Sequence, residues 1–238
     1  MTLTNENESL ETVLVTGADG ALGSVVAGTF ADAGCTVVGA DIGVESDELQ
    51  PVADEEEQYE VYLDATDPTS VEHVVGAVED EFGSVDALVN CAGGFRWTPI
   101  DRAGDDEIDF LMGANLRSGL LMVREVVEGM KERGFGRIVL MSSKSTLAPG
   151  EGEGPYASTK AGLNALTQSV AEEVQPRDVT INAILPSVID TPANREEMPD
   201  ADVSKWVERE QLAEIIFRLT QSFGEPINGA LIPVTGGM

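Results

Sequence analysis

Tyr156 and Lys160 stand four residues apart in Tyr156-Ala157-Ser158-Thr159-Lys160, and Ser143 precedes them by thirteen residues. Positions i and i+4 share one face of a helix, so the Lys160 ammonium can stand beside the Tyr156 phenol. A free tyrosine titrates near pH ~10. A cation within a few ångströms favours the phenolate and draws that value towards working pH. Such a group can give a proton to a substrate oxygen or take one from it. Tyr-x-x-x-Lys also arises by chance on helices, Ser143 could simply cap a strand end, and Lys160 could be a surface charge. What accompanies them decides between these readings.

Thr16-Gly17-Ala18-Asp19-Gly20-Ala21-Leu22-Gly23 joins an expected first strand to a first helix. Glycines in such a turn let backbone N–H groups and a helix N-terminus approach a pyrophosphate. Asp41 ends the second expected strand, about twenty residues further on, where a carboxylate bonds both hydroxyls of an adenosine ribose and repels a 2′-phosphate. No Arg or Lys stands in the turn or just after Asp41. The expected cofactor is NAD(H) in preference to NADP(H), moving a hydride while Tyr156 handles the proton. The plain alternative is an acidic residue that only caps a loop.

The elements that must position these groups alternate along the chain. Strands are expected at Val13–Val15, Thr36–Ala40, Glu60–Leu63, Ala87–Asn90, Arg137–Met141, Val179–Ile184 and Ala230–Val234. Helices are expected at Leu22–Phe30, Asp67–Phe82, Ile108–Arg133, Pro155–Val174 and Val203–Phe223, with Pro68 in a first turn and Gly134 at an end. Glu45 to Glu60 reads as an acidic, solvated loop or poor helix. Strands alternating with helices of this length predict a single-domain, doubly wound Rossmann-type α/β fold, with a seven-stranded parallel sheet flanked by helices. Residues 1–11 read as a polar N-terminal arm, and 12–238 as one NAD(P)-binding catalytic domain.

The chain has 238 residues, 42% of them hydrophobic, and a formal net charge of −29 from 43 acidic and 14 basic residues. A field of that sign repels nucleic acid and anionic membranes. No apolar run approaches the ~20 residues of a membrane span, and the N-terminus lacks the regions of a signal peptide; a soluble, cytoplasmic protein is expected. Cys35 and Cys91 read as buried free thiols. His73, the one histidine, cannot build a multi-histidine metal site, and no metal is expected.

Taken together, these motifs resemble the short-chain dehydrogenase/reductase family across nearly the whole chain. The residues that fit are the Thr16–Gly23 turn, Asn90-Cys91-Ala92-Gly93, Asn115, Ser143, Tyr156, Lys160, and Pro186 through Thr191. The resemblance implies a Ser143-Tyr156-Lys160-Asn115 mechanism. In it Tyr156 transfers the proton, Lys160 holds the nicotinamide ribose and lowers the tyrosine pKa, Ser143 bonds the substrate oxygen and Asn115 holds a water. It also implies cofactor contacts at Gly17, Asp19, Gly20, Ala21, Leu22, Gly23, Asp41, Asp64, Asn90, Ala92, Gly93, Tyr156, Lys160, Pro186, Ile189 and Thr191. The chain departs from the pattern at Ala21, Ser187 and Thr235. Local stretches, Asp190 to Arg195 and Met198 to Trp206 among them, look like the dihydropteridine reductase branch, although Ser143 departs from it. Trp97, Met198 and Trp206 are candidates for the pocket wall, equally suited to core or interface. By the same resemblance a homodimer or homotetramer is expected.

The expected activity is hydride transfer between NAD(H) and a small carbonyl, alcohol or pterin-like substrate. The alternatives are an NAD(H)-binding sensor without turnover and a 3-oxoacyl thioester reductase. The acid-rich, lysine-poor composition resembles proteins of salt-loving archaea. Self-repulsion destabilises the compact state unless salt shortens the Debye length to ~3 Å, near molar concentration. The melting temperature is therefore expected to rise with KCl; one that stays flat would contradict a halophilic adaptation.

Overall fold

The computed structural model describes residues 10–53, 55 and 57–237; residues 1–9 of the expected arm lie outside them. The chain runs through β1 (Thr12–Thr16), α1 (Gly23–Asp32), β2 (Thr36–Asp41), β3 (Gln50–Pro51), β4 (Gln58–Tyr62), α2 (Pro68–Phe82) and β5 (Ala87–Asn90). It continues through α3 (Asp105–Leu111), α4 (Ser118–Arg133), β6 (Phe135–Met141) and α5 (Gly154–Glu173). β7 (Asp178–Pro186), α6 (Pro192–Glu197), α7 (Arg209–Thr220) and β8 (Leu231–Val234) complete it.

All five residues of β1, four of β5 and seven of β6 are buried, as strands covered on both faces must be. Alternation then sorts their side chains. Leu14 packs with the valines of α2 and with Leu163 of α5, while Val13 and Val15 pack with Phe30 of α1 and with Leu212 and Ile216 of α7. The result is three layers with a core on each side of the sheet.

The strands lie in the order β3-β4-β2-β1-β5-β6-β7-β8. β1 pairs with both β2 and β5, so successive connections leave it in opposite directions. The carboxyl ends of β1 and β5 therefore flank the switch point, where α/β sheets open a crevice. Local chemistry fixes the helix ends that matter. Asp67 accepts the Thr69 N–H at the start of α2, and Gly134, at φ 83°, stops α4 just before β6.

Four departures from the sequence expectation have physical causes. The sheet has eight strands, not seven, because Gln50 and Pro51 in the acidic connection pair antiparallel with Glu60 and Tyr59; proline is tolerated there because the strand is an edge. The single helix expected over Ile108–Arg133 is α3 and α4 joined by a π-helical segment at Met112–Arg117. α7 begins at Arg209 rather than Val203, since Val207 is drawn into a parallel bridge with Ile189. α6 forms between β7 and α7, where no element was expected, capped by the Thr191 hydroxyl accepting the Asn194 N–H. Among the described residues no helix is long and apolar enough to cross a membrane.

Candidate active site

The turn after β1 is built by two glycines that have no room for a side chain. Gly17 has φ +68°, and a Cβ on it would lie 2.8 Å from the Ala92 nitrogen; one on Gly23 would lie 2.1 Å from the Gly17 oxygen. Within the turn Gly20 N–H donates to that same oxygen at 3.1 Å. Ala21 and Leu22 fall between the two crowded positions, so the departure at Ala21 leaves the tight contacts intact. The Thr16 hydroxyl ties the ends of β1 and β5 by donating to Asn90 Oδ1 at 2.8 Å and accepting the Ala92 N–H at 3.3 Å. Asn90 is thus a structural tie, with its buried Nδ2 unpartnered among the described residues.

A cleft of about 550 Å3 opens at this switch point, lined by Gly17, Asp41, Asp64, Ala92, Gly93 and Phe110 among others. Asp41 accepts the Asp19 N–H at 3.1 Å on one oxygen and the Gly43 N–H at 3.0 Å on the other. Each oxygen keeps a second lone pair for a ribose hydroxyl. The Asp19 carboxylate faces the same spot: a Cβ on Gly43 would meet it at 2.8 Å and Asp41 at 3.6 Å. Asp64 accepts both the N–H and the hydroxyl of Thr66. Every charged residue in the lining is a carboxylate: Asp41, Asp64 and Asp109. Glycines at the turn, free lone pairs on Asp41 and an open cleft between them fit a dinucleotide. Asp19, Ala21, Leu22, Gly23 and Asn90 support this cleft without lining it, and Pro186, Ile189 and Thr191 do not line it either.

Beyond Gly93 stand the groups with proton chemistry. Lys160 is buried and donates to the Met141 carbonyl at 2.7 Å. Burial lowers its pKa to about 8, against a smaller opposing effect of Cys91, whose own thiol burial pushes up to about 12. Ser143 accepts the Ser145 N–H at 3.1 Å, which leaves its own proton free to donate. Burial raises the Tyr156 pKa, a hydrogen bond from Ser143 pulls it back, and the Glu153 charge raises it further. The expected depression of Tyr156 by Lys160 does not appear here: desolvation of the phenolate is the largest effect on the phenol, and it outweighs the Ser143 bond.

Asn115 is fully buried in the π-helical segment, with both amide atoms paired to Gly94: Oδ1 accepts the Gly94 N–H at 3.0 Å and Nδ2 donates to the Gly94 oxygen at 2.9 Å. Its side chain thus braces the Gly94 backbone. A Cβ on Gly93 would lie 2.8 Å from Asn115 Oδ1 and 3.1 Å from Lys160 Nζ, so three expected site residues meet at one point. Of the candidate pocket-wall residues, Trp206 is buried, Met198 is half-buried and Trp97 is exposed. Sequence reasoning passed over Phe95, whose ring meets Tyr156 edge-on at 4.9 Å; an aromatic just after the Gly93-Gly94 pair was the available signal.

Folded Lys160 releases its proton near pH 8, whereas the ordinary value is 10.5. Between these values the unfolded chain binds more protons, so the stability of the wild type relative to Lys160→Met rises with pH across this window. At ~1.4 kcal/mol per unit the gain amounts to roughly 3 kcal/mol. Urea unfolding of both proteins at pH values below and above the window measures it; a difference independent of pH would contradict the buried, depressed lysine.

A family model described as short chain dehydrogenase matches residues 11–202. The 3-oxoacyl-(acyl-carrier-protein) reductase FabG of Vibrio cholerae is 31% identical over 233 residues, covering 94% of this chain and 96% of that protein. The Escherichia coli protein of the same name is 30% identical over 235 residues, with the same shares covered. The D-beta-hydroxybutyrate dehydrogenase of Rhizobium meliloti is 30% identical over 208 residues, covering 85% of this chain and 80% of that protein. With a dinucleotide cleft at the switch point and a Ser-Tyr-Lys group beside it, the chain belongs to the short-chain dehydrogenase family and is an oxidoreductase of the nicotinamide-dependent kind.

Proposed function

We propose that this protein catalyses reversible hydride transfer between NAD(H) and a small carbonyl compound or its alcohol. The observation that carries the reading is the convergence of Lys160 and Asn115 on Gly93, beside the Ser143–Tyr156 pair. The nicotinamide cofactor supplies or accepts the hydride; the chain's own residues manage position and protons. Ser143 turns the proton it shares with Tyr156 to the substrate oxygen as charge develops there. Tyr156 gives that oxygen its proton, and a phenol held above its ordinary value keeps the proton at neutral pH, which suits reduction. Lys160, near its own titration point, can hold the nicotinamide ribose and resupply Tyr156. Asn115 keeps the Gly93–Gly94 backbone in place for both.

The preference for NAD(H) rests on Asp41 and Asp19. Two carboxylates facing the adenosine ribose, with no basic group in the lining, oppose a 2′-phosphate and accept hydroxyls. Gly17, Gly20, Asp64 and Ala92 complete the adenosine side of this reading, and Pro186, Ile189 and Thr191 the nicotinamide side. The exposed apolar side chains of Ile108, Met112 and Leu120 support a homo-oligomer, dimer or tetramer, of one catalytic domain spanning 12–238. The charge of −29 supports a soluble, cytoplasmic, halophilic setting.

A second reading, a 3-oxoacyl or 3-hydroxyacyl substrate, is favoured by the names of the relatives. The pterin-like alternative rests on the local stretches between Asp190 and Trp206. NADH oxidation in molar KCl against small ketones and aldehydes, 3-oxoacyl thioesters and quinonoid dihydropterin separates them. Tyr156→Phe is expected to bind NADH normally and to lose turnover by about a hundredfold or more; retained turnover would refute the proton donor. Asp41→Ala is expected to erode the NADH over NADPH preference, and an unchanged ratio would count against the ribose contact.

A further inference from the structure

We propose that Phe95 and Trp97 form a preorganised aromatic wall beside Tyr156 that selects carbonyl substrates bearing a planar, uncharged ring next to the reacting carbon. This rests on the reading of Tyr156 as the proton donor and narrows the substrate class it implies. The Phe95 ring meets the Tyr156 ring edge to face, with centroids 4.9 Å apart and planes at 85°. Its neighbour points elsewhere: the Arg96 guanidinium lies over Phe110, 4.6 Å from the ring centroid. Trp97 returns to the α5 side, its Nε1–H donating to the Glu151 carbonyl at 2.7 Å. Gly152 gives the indole its place, since a Cβ there would lie 2.4 Å from the ring.

The wall is held along its length. Asn115 clamps Gly94 by two hydrogen bonds, Thr98 N–H donates to the Gly152 oxygen at 2.8 Å, and the Thr98 hydroxyl is bonded to the Glu107 carboxylate. Yet the two residues remain 43% and 57% exposed. Phe95, left open beside the Tyr156 ring, and Trp97, seated on Gly152 just before α5, are fixed aromatic surface that a ligand covers without an ordering cost. An aliphatic group gains the burial alone, whereas a ring also gains the edge-to-face or offset-stacked contact. The Glu153 carboxylate, near enough to act on the phenol, disfavours an anionic group at the same spot.

The test compares benzaldehyde with cyclohexanecarbaldehyde, a pair matched in size, at saturating NADH in molar KCl. The ratio of their kcat/KM values is measured for wild type, Phe95→Leu and Trp97→Leu; comparison between proteins cancels the intrinsic reactivity of the aldehydes. The ratio is expected to fall about threefold to tenfold towards cyclohexanecarbaldehyde in Phe95→Leu, the scale of an aromatic pair beyond its area. KM for NADH should stay unchanged. Trp97→Leu is expected to shift the ratio in the same direction, and serves if Phe95→Leu does not fold. A ratio equal in wild type and variants, or wild-type turnover of other carbonyls but of neither aldehyde, would overturn the wall alone. Absence of turnover with every carbonyl would instead overturn the reading of Tyr156 on which it rests.

Discussion

The backbone of Cys91–Gly94, leaving β5 at the switch point, is the constraint around which the site is built. Gly17 approaches it from the cofactor turn so closely that a Cβ would collide with the Ala92 nitrogen. Asn115, from the π-helical segment, and Lys160, from α5, approach Gly93, and a Cβ on Gly94 would lie 2.6 Å from the Phe110 ring. Four groups separated by up to 143 residues in sequence are thereby fixed to one short stretch of chain. Their relative positions follow from close packing against this backbone, which leaves little room to shift. That rigidity is what hydride transfer requires, because its rate depends on holding two reacting carbons in a narrow range of geometry.

Burial is the second determinant, and it shifts both titrating groups away from their charged forms. Lys160 is drawn down and Tyr156 is pushed up, so burial disfavours a phenolate–ammonium couple. The acidic surface adds to this. A chain carrying −29 with only carboxylates among the charged residues of its cofactor cleft must receive an anionic pyrophosphate against its own field. Backbone N–H groups of the glycine turn oppose that field locally, and salt screens the remainder.

Much of this was legible from residue types and spacing. The glycine turn, Asp41, and the Ser143, Tyr156 and Lys160 trio stood out by type and spacing, and caps such as Asp67 and Gly134 marked the helix ends. What escaped depends on contacts distant in sequence. The π-helical segment adds one residue to a turn and leaves the apolar pattern of Ile108–Arg133 almost unaltered, so periodicity cannot reveal it. β3 exists only because Tyr59 and Glu60 offer a partner, and α7 loses its expected first turns to the pairing of Val207 with Ile189. The direction of the Tyr156 shift was misread for the same reason. Spacing placed a cation beside the phenol, but desolvation, a product of the tertiary fold, is the larger effect.

The central claim is that this site moves a hydride between a nicotinamide and a carbonyl carbon. The most direct measurement is a single-turnover reaction with NADH deuterated at the transferable position of nicotinamide C4, in molar KCl, with the best carbonyl substrate found. The account predicts that deuterium appears on the alcohol carbon of the product and that the transfer slows by a primary isotope effect. NADH that binds tightly yet retains its deuterium with every carbonyl offered would contradict it, and would make the protein a sensor of the cofactor rather than a catalyst.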